Sequence, residues 1–180
     1  SLKRNIKHCD LKYFNLSHAF VDLGAFYELW SQTYLRQKIH PPLSAEGFKA
    51  LYGHFSSDRT FQTICAYNVD GRLAAGVIFL VTGKTAYYWA SALNNLYSAS
   101  GINQFLLWEG LQVLSRNGVT DFDFVGADIL SIASYKKKFG GDLVGHTRAW
   151  AIGSKRAHFV RSAKMLTKKL LGKNDKDFFG

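Results

Sequence analysis

Apolar residues recur at helical spacing through the first part of the chain. Within 16–39 they fall three or four residues apart, which predicts a long amphipathic helix that ends before two prolines. Its apolar side carries Phe20, Leu23, Tyr27, Trp30 and Tyr34. A second helix is predicted over 44–55, beginning at Ser44, a residue type that caps helix N-termini. Apolar and polar residues alternate over 10–16 in a way that predicts a short strand.

The pattern then changes to runs typical of strands. Three strands are predicted over 61–69, 72–82 and 84–92, rich in β-branched, aromatic and small apolar residues. Asp70-Gly71 between the first two is a strong hairpin signal, and Gly83 marks another tight turn. Because the links are this short, the three strands form an antiparallel meander.

Helices and strands alternate in the rest of the chain. The predicted elements are a helix over 102–118, a strand over 120–126, a short helix over 129–139, a strand over 143–152 and a basic amphipathic helix over 156–171. This order predicts a mixed α/β fold: a mostly antiparallel twisted sheet with helices on both faces. We expect one domain over 1–172 and a flexible tail over 173–180.

Charge and cysteine content narrow the class of protein. The chain has 23 Lys and Arg against 13 Asp and Glu, a formal net charge of +10. Such an excess favours polyanionic partners, whether nucleic acid, phosphorylated ligands or an anionic membrane face, although a merely soluble basic protein has the same charge. Cys9 and Cys65 form no disulfide or zinc pattern, so a reducing, cytoplasmic location is predicted and no metal is expected.

The polar loop 94–101 before the helix at 102 is the first candidate site. A Ser- and Gly-rich turn at a helix N-terminus presents free backbone N–H groups and the positive end of the helix dipole. Four residues would cradle a phosphate there: Ser98, Ser100, Gly101 and Asn103. An ordinary helix cap is the alternative.

Two acidic positions and one strand are further candidates. Glu109 shares a helix face with apolar residues, so it is either paired structurally or raised in pKa and able to act as a base. Asp121 and Asp123 alternate with phenylalanines, so both carboxylates point to one face of their strand. They could form a wall of the site or lie on a solvated or salt-bridged face. Strict alternation in 84–92 places Tyr88 and Ala90 on the opposite face from Trp89.

Five short motifs in one fixed order resemble a known family. They are T-x-x-R at 33–36, YYWAS at 87–91, LLWEGL at 106–111, G-x-x-x-F-D-F-x-G at 118–126 and YKKKFGG at 135–141. Together they are similar to the GNAT-type acyltransferase domain of the Fem family of peptidoglycan aminoacyltransferases and their acetyltransferase-like relatives. The resemblance implies a GNAT-like fold and an N-acyltransferase of bacterial cell-wall or envelope biosynthesis.

The resemblance also implies donors and partners. Fem enzymes are typically two GNAT-like halves that move an amino acid from aminoacyl-tRNA to a peptide amine, and other relatives use acyl-CoA such as acetyl-CoA. This sequence resembles the second half, so the expected partners are an amine acceptor, tRNA, and a second GNAT-like domain or a homodimer.

Residue roles follow from the same resemblance. Lys136 would meet the donor's phosphates or the charge developing on the acyl carbonyl, Arg36 and Tyr88 would bind the acceptor, and Asp123 or Glu109 would handle the proton. In the YKKKFGG motif, Tyr135 and Phe139 are four apart and would anchor their helix in the core. The loop 94–101 departs from the basic-x-x-G-x-G/A pattern of common GNAT enzymes, which weighs against simple acetyl-CoA use.

Two alternatives remain open at this point. The chain could be a non-catalytic GNAT-like module that binds nucleic acid or an envelope-biosynthesis partner through its basic surface. It could also dock on the inner, anionic face of a membrane through the helix predicted over 156–171.

Overall fold

A five-stranded sheet organises the described part of the chain. The computed structural model describes residues 2–20, 22–56, 60–126 and 130–145. The strands are β1 (Phe14–Ser17), β2 (Phe61–Asn68), β3 (Leu73–Thr82), β4 (Thr85–Leu93) and β5 (Asp121–Asp123). The helices are α1 (Leu2–Lys7), α2 (Leu23–Arg36), α3 (Ala45–Ser56), α4 (Ile102–Arg116) and α5 (Leu130–Lys137).

The sheet has the strand order β1-β2-β3-β4-β5. The first four strands pair antiparallel, and β5 pairs parallel to β4 because α4 carries the chain back between them. Gly71 and Gly83 take positive φ at the two tight turns of the meander. The predicted mixed, mostly antiparallel sheet is therefore confirmed.

These elements belong to one of two compact units, Ser1–Asp142 and Leu143–Gly180. Only 143–145 of the second unit are described, without helix or strand. The helix predicted over 156–171, the tail, and most of the strand predicted over 143–152 lie outside the described residues.

Several predicted boundaries shift because local hydrogen bonds decide them. The strand predicted at 10–16 begins only at Phe14, since Asp10 caps a single 3-10 turn over Leu11–Tyr13. The helix predicted from residue 16 begins at Leu23, where the Asp22 carboxylate accepts from the Gly24 and Ala25 N–H groups at 2.8 and 3.2 Å. The strand predicted over 120–126 shortens to three residues.

Each face of the sheet carries its own core. The α4-side core contains Ile102, Leu106, Leu107 and Leu114 from α4 packed on Val77 and Phe79. The α2/α3-side core contains Phe26, Trp30 and Phe48 packed on Cys65 and Ile78. Helices on both faces were predicted, and they are observed.

A one-residue bulge in β4 divides that strand between the two cores. Ile78 lies opposite Ala90 whereas Phe79 lies opposite Tyr88, so Trp89 is an extra residue in the ladder. Tyr88 packs with the α4-side core, while Trp89 and Ala90 pack with the other. The prediction that Tyr88 and Ala90 share one face is therefore wrong, because the bulge resets the alternation.

Helix α4 approaches the sheet closely at Gly110. A Cβ atom built on Gly110 would overlap the ring of Phe79, which is fully buried. The missing side chain therefore sets the distance between α4 and β3.

We expect Gly110→Ala to lower the free energy of unfolding by about 1–3 kcal/mol, because the buried ring cannot move aside cheaply. Gly53→Ala is the matched control: Gly53 lies within α3 with open space around its Cα, so alanine should add about 0.5–1 kcal/mol there. Chemical denaturation of both variants tests the contact. Equal stabilisation by the two alanines would contradict it.

Candidate functional site

The β4 and β5 strands part halfway along β4. Pairing between β4 and β5 covers only Thr85–Asp121, Ala86–Phe122 and Tyr87–Asp123, although β4 continues to Leu93. On this side, the backbone groups of 88–93 have no strand partner within the described ranges. A bound molecule can therefore hydrogen-bond to this edge of β4, next to the bulge.

Three polar side chains meet beside this open edge. Asn103, in the first turn of α4, donates from Nδ2 to the Tyr135 hydroxyl of α5 at 3.3 Å. Tyr88 of β4 interacts with both Asn103 and Tyr135. We call Tyr88, Asn103 and Tyr135 the tyrosine–asparagine cluster. The Asn103 Oδ1 atom is buried and has no hydrogen-bond partner among the described residues, so an acceptor is left for a bound donor group.

Burial keeps both phenols of the cluster neutral. It raises the pKa of Tyr88, and interactions with Ser91 and Asn103 offset only part of that effect. Burial also raises the pKa of Tyr135 strongly, the neighbouring Tyr88 adds to it, and the Asn103 hydrogen bond opposes it. Asn103 donates to the Tyr135 oxygen, and no described residue accepts a hydrogen bond from the Tyr135 hydroxyl. Its proton can be given to a bound group.

The segment after β5 is held by Asp123 and Lys136. The Asp123 Oδ1 atom accepts from the Val125 N–H at 2.6 Å, and Lys136 Nζ donates to the carbonyls of Val125 and Gly126 at 3.3 and 2.5 Å. Val125 has φ of 59°, an uncommon value for a β-branched residue. Both side chains thus fix a strained turn where the strands part. The predicted contact of Lys136 with a donor stays a prediction.

The predicted phosphate loop is mostly occupied by its own contacts. Ser100 Oγ donates to the Tyr97 carbonyl at 2.7 Å and accepts from the Ile102 N–H at 3.2 Å, which is a capping role. Gly101 has φ of 78° and is buried, with the Asn5 carbonyl of α1 lying against it. Ser98 is exposed. Of the four predicted phosphate ligands, only Asn103 joins the cluster.

Arg36 and Glu109 have structural contacts. Arg36 donates from Nη1 to Asn95 Oδ1 at 2.8 Å and from Nη2 to Thr33 Oγ1 at 3.2 Å, so it ties the end of α2 to the 94–101 loop. Glu109 is partly buried and pairs with Arg116 at 3.2 Å. Neither side chain hydrogen-bonds to the cluster within the described ranges.

Sequence reasoning missed the polar role of Tyr135. Its ring does pack against the α4-side core together with Phe139, at 5.5 Å between centroids, as predicted. The available signal was that a buried tyrosine, unlike a buried phenylalanine, needs a partner for its hydroxyl. In the described ranges, no group of three His, Cys, Asp or Glu side chains could hold a metal, and no helix is long and apolar enough to cross a membrane.

The sequence of this chain is similar to that of a known family of domains. Residues 1–137 match the sequence profile of the acetyltransferase (GNAT) domain. The search of curated proteins found no match.

Solved structures share the fold at low identity. FemX aligns with a TM-score of 0.67 and 11% identity over 77% of this chain and 53% of that chain. An acetyltransferase from Trypanosoma brucei aligns with a TM-score of 0.60 and 13% identity, over 77% of this chain and 99% of that chain. Glucosamine-6-phosphate N-acetyltransferase from Arabidopsis thaliana aligns with a TM-score of 0.56 and 9% identity, over 77% of this chain and 98% of that chain. At these identities the likeness establishes the fold alone.

The neutral phenol of Tyr135 predicts a pH dependence of stability. Below an ordinary tyrosine pKa of 10.0 the folded and unfolded chains both keep the proton; above it, the unfolded chain loses the proton first. The free energy of unfolding therefore falls as pH rises beyond about 10, by up to about 1.4 kcal/mol per pH unit for one such group. When denaturation is measured between about pH 8 and 11, the free energy of unfolding should fall less steeply with pH in Tyr135→Phe than in the wild type. Ser134→Ala, an exposed change on the same helix, should keep the wild-type slope.

Proposed function

Because the chain belongs to the family of GNAT acetyltransferase domains, we propose that it transfers an acyl group from acetyl-CoA to the nitrogen of an amine. The observation that carries this proposal is the tyrosine–asparagine cluster beside the open edge of β4. It combines a neutral proton donor, an unpaired buried acceptor and free backbone groups in one place.

Each part of this arrangement suits acyl transfer to an amine. When the amine attacks the carbonyl of the donor, negative charge develops on the carbonyl oxygen and then on the leaving sulfur. Backbone N–H groups on the open edge of β4 can stabilise the first charge, and the Tyr135 hydroxyl can donate its proton to the second. Asn103 holds the Tyr135 oxygen and offers Oδ1 to an N–H of the substrates. No covalent bond to the protein is needed, since alignment lowers the barrier.

The proton lost by the amine needs an acceptor. Asp123 is the carboxylate that β5 places opposite Tyr87, where the strands part. One of its oxygens holds the Val125 N–H, and the other is left for a water or the amine. We therefore assign proton acceptance to Asp123 and a structural ion pair to Glu109.

The acyl end of acetyl-CoA fits this site better than its phosphate end. The loop 94–101 contains no Lys or Arg. The Asn5 carbonyl covers Gly101, so a partial negative charge lies where a phosphate would bind. This observation favours a second candidate, an aminoacyl-tRNA donor, which the resemblance to the Fem family also implies. The acceptor would then be the amine of a cell-wall peptide.

The donor is decided by a direct transfer assay. Purified protein is incubated with acetyl-labelled CoA or with labelled aminoacyl-tRNA and a panel of amines, and label transfer is measured. We expect transfer from acetyl-CoA, and Tyr135→Phe should lower kcat on the order of a hundredfold because the proton donor is lost. Tyr34→Phe removes the hydroxyl of a partly buried tyrosine that packs on the α2/α3-side core, and it is the control.

The other outcomes are equally informative. Transfer from aminoacyl-tRNA alone would change the proposed donor and leave the proposed site unchanged. Salt-sensitive RNA binding without transfer from either donor would favour the non-catalytic alternative.

Lys136 is expected to act by positioning the turn after β5. Lys136→Ala should lower kcat/KM on the order of tenfold, because the strained turn and Asp123 lose their support. The neighbouring, exposed Lys137 gives the matched control, Lys137→Ala. Lys136→Arg should restore part of the rate. Equal rates for both alanine variants would remove Lys136 from the site.

A further inference from the structure

A groove of about 720 Å³ lies among α1, α4 and the turn that follows α5, and no member of the tyrosine–asparagine cluster lines it. Its apolar walls come from these three segments. They are formed by Leu2, Ile6, Trp108 and Phe139. The Trp108 side chain is 43% exposed, which leaves an indole ring facing the cavity instead of the core. An indole ring in a concave apolar lining with few polar groups is typical of a small-molecule site.

The rim of this cavity is positively charged. Lys3, Lys7 and Lys138 line it, and no Asp or Glu is among its described lining residues. None of the three lysines forms an ion pair within the described ranges. Lys3 and Lys7 are four residues apart on α1, so their like charges face the same side and repel. An anion at the rim would relieve that repulsion.

We propose that this groove binds the anion of a long-chain fatty acid. The hydrocarbon chain would lie against the four apolar walls, and the carboxylate would lie among the three lysines. The volume falls within the range of about 300–1,000 Å³ that is usual for small-molecule sites with apolar walls and few polar groups. We choose a single amphiphile as the occupant because four apolar residues beside three lysines match one hydrocarbon chain and one carboxylate.

The test is a chain-length series with the whole protein. Octanoate, decanoate and dodecanoate are titrated below their micelle concentrations, with calorimetry and tryptophan fluorescence as readouts. Each added methylene should tighten binding about fourfold, because each is buried against the walls. Dodecylammonium, with the same chain and the opposite charge, should bind at least tenfold more weakly than dodecanoate.

Four variants locate the site. Trp108→Ala and Lys7→Gln should each weaken dodecanoate binding several-fold. Leu35→Ala, at an apolar residue 54% exposed on α2, and Lys49→Gln, at an exposed lysine on α3, are their controls and should leave it unchanged. Thermal unfolding of each variant checks that the fold is kept.

Four results would overturn the proposal. The first is affinity independent of chain length, and the second is equal binding of dodecylammonium; both indicate surface adsorption. The third is complete displacement of dodecanoate by unacylated CoA, which would make the groove part of a donor site. Binding to anionic phospholipid vesicles without binding of monomeric dodecanoate would equally exclude it. None of these results depends on whether the protein transfers an acetyl group.

Discussion

The extra residue in β4 is the constraint on which the rest of this structure depends. A strand of regular alternation offers one set of side chains to each face along its whole length. In β4 the bulge at Trp89 interrupts that order, so Ala86 and Tyr88 pack with the α4-side core and Ala90 with the opposite one. The indole of Trp89 itself stacks between Phe48 and Phe61, at 5.3 and 4.7 Å. Without the bulge, Tyr88 and Ala90 would lie on the same face of the sheet, and β4 could not supply both cores in this way.

A polar cluster at the boundary of an apolar core is stable only if its members satisfy one another. The hydrogen bond from Asn103 to Tyr135 and the neighbouring Tyr88 provide most of that satisfaction, and Asn103 Oδ1 is the exception. An unpaired buried carbonyl of this kind costs about 1–3 kcal/mol, so a ligand that donates a hydrogen bond to it gains affinity.

Much of the fold follows from the sequence, and the reasons are local. Hairpin turns at Asp70-Gly71 and Gly83, and helix periodicity in 102–118, are read directly because neighbouring residues set them. The starts of β1 and α2 differ from the prediction because a single carboxylate sets each of them. Asp10 caps the 3-10 turn that precedes β1, and Asp22 caps the N-terminus of α2. The bulge was missed because it is a choice of register between two strands, and no residue type in YYWAS specifies it.

The site was only partly predictable for the same reason. Tyr88 and Asn103 were named from the sequence, one on a strand and one at a helix start, and they do meet. The partner that joins them, Tyr135, is 32 residues beyond Asn103, and only the packing of α5 brings it there. The capping contacts of Ser100 are local and match the alternative of an ordinary helix cap. The cover over Gly101 depends on α1, whose position nothing in the loop sequence reveals.

The contact between Asn5 and Gly101 packs α1 against the residue that precedes α4. Gly101 has no side chain that could bend or rotate, so the backbone of α1 rests directly on the backbone of α4. Asn103 lies two residues further along the same first turn. Helix α1 also forms one wall of the apolar groove, so the groove and the first turn of α4, which carries Asn103, share one packing element.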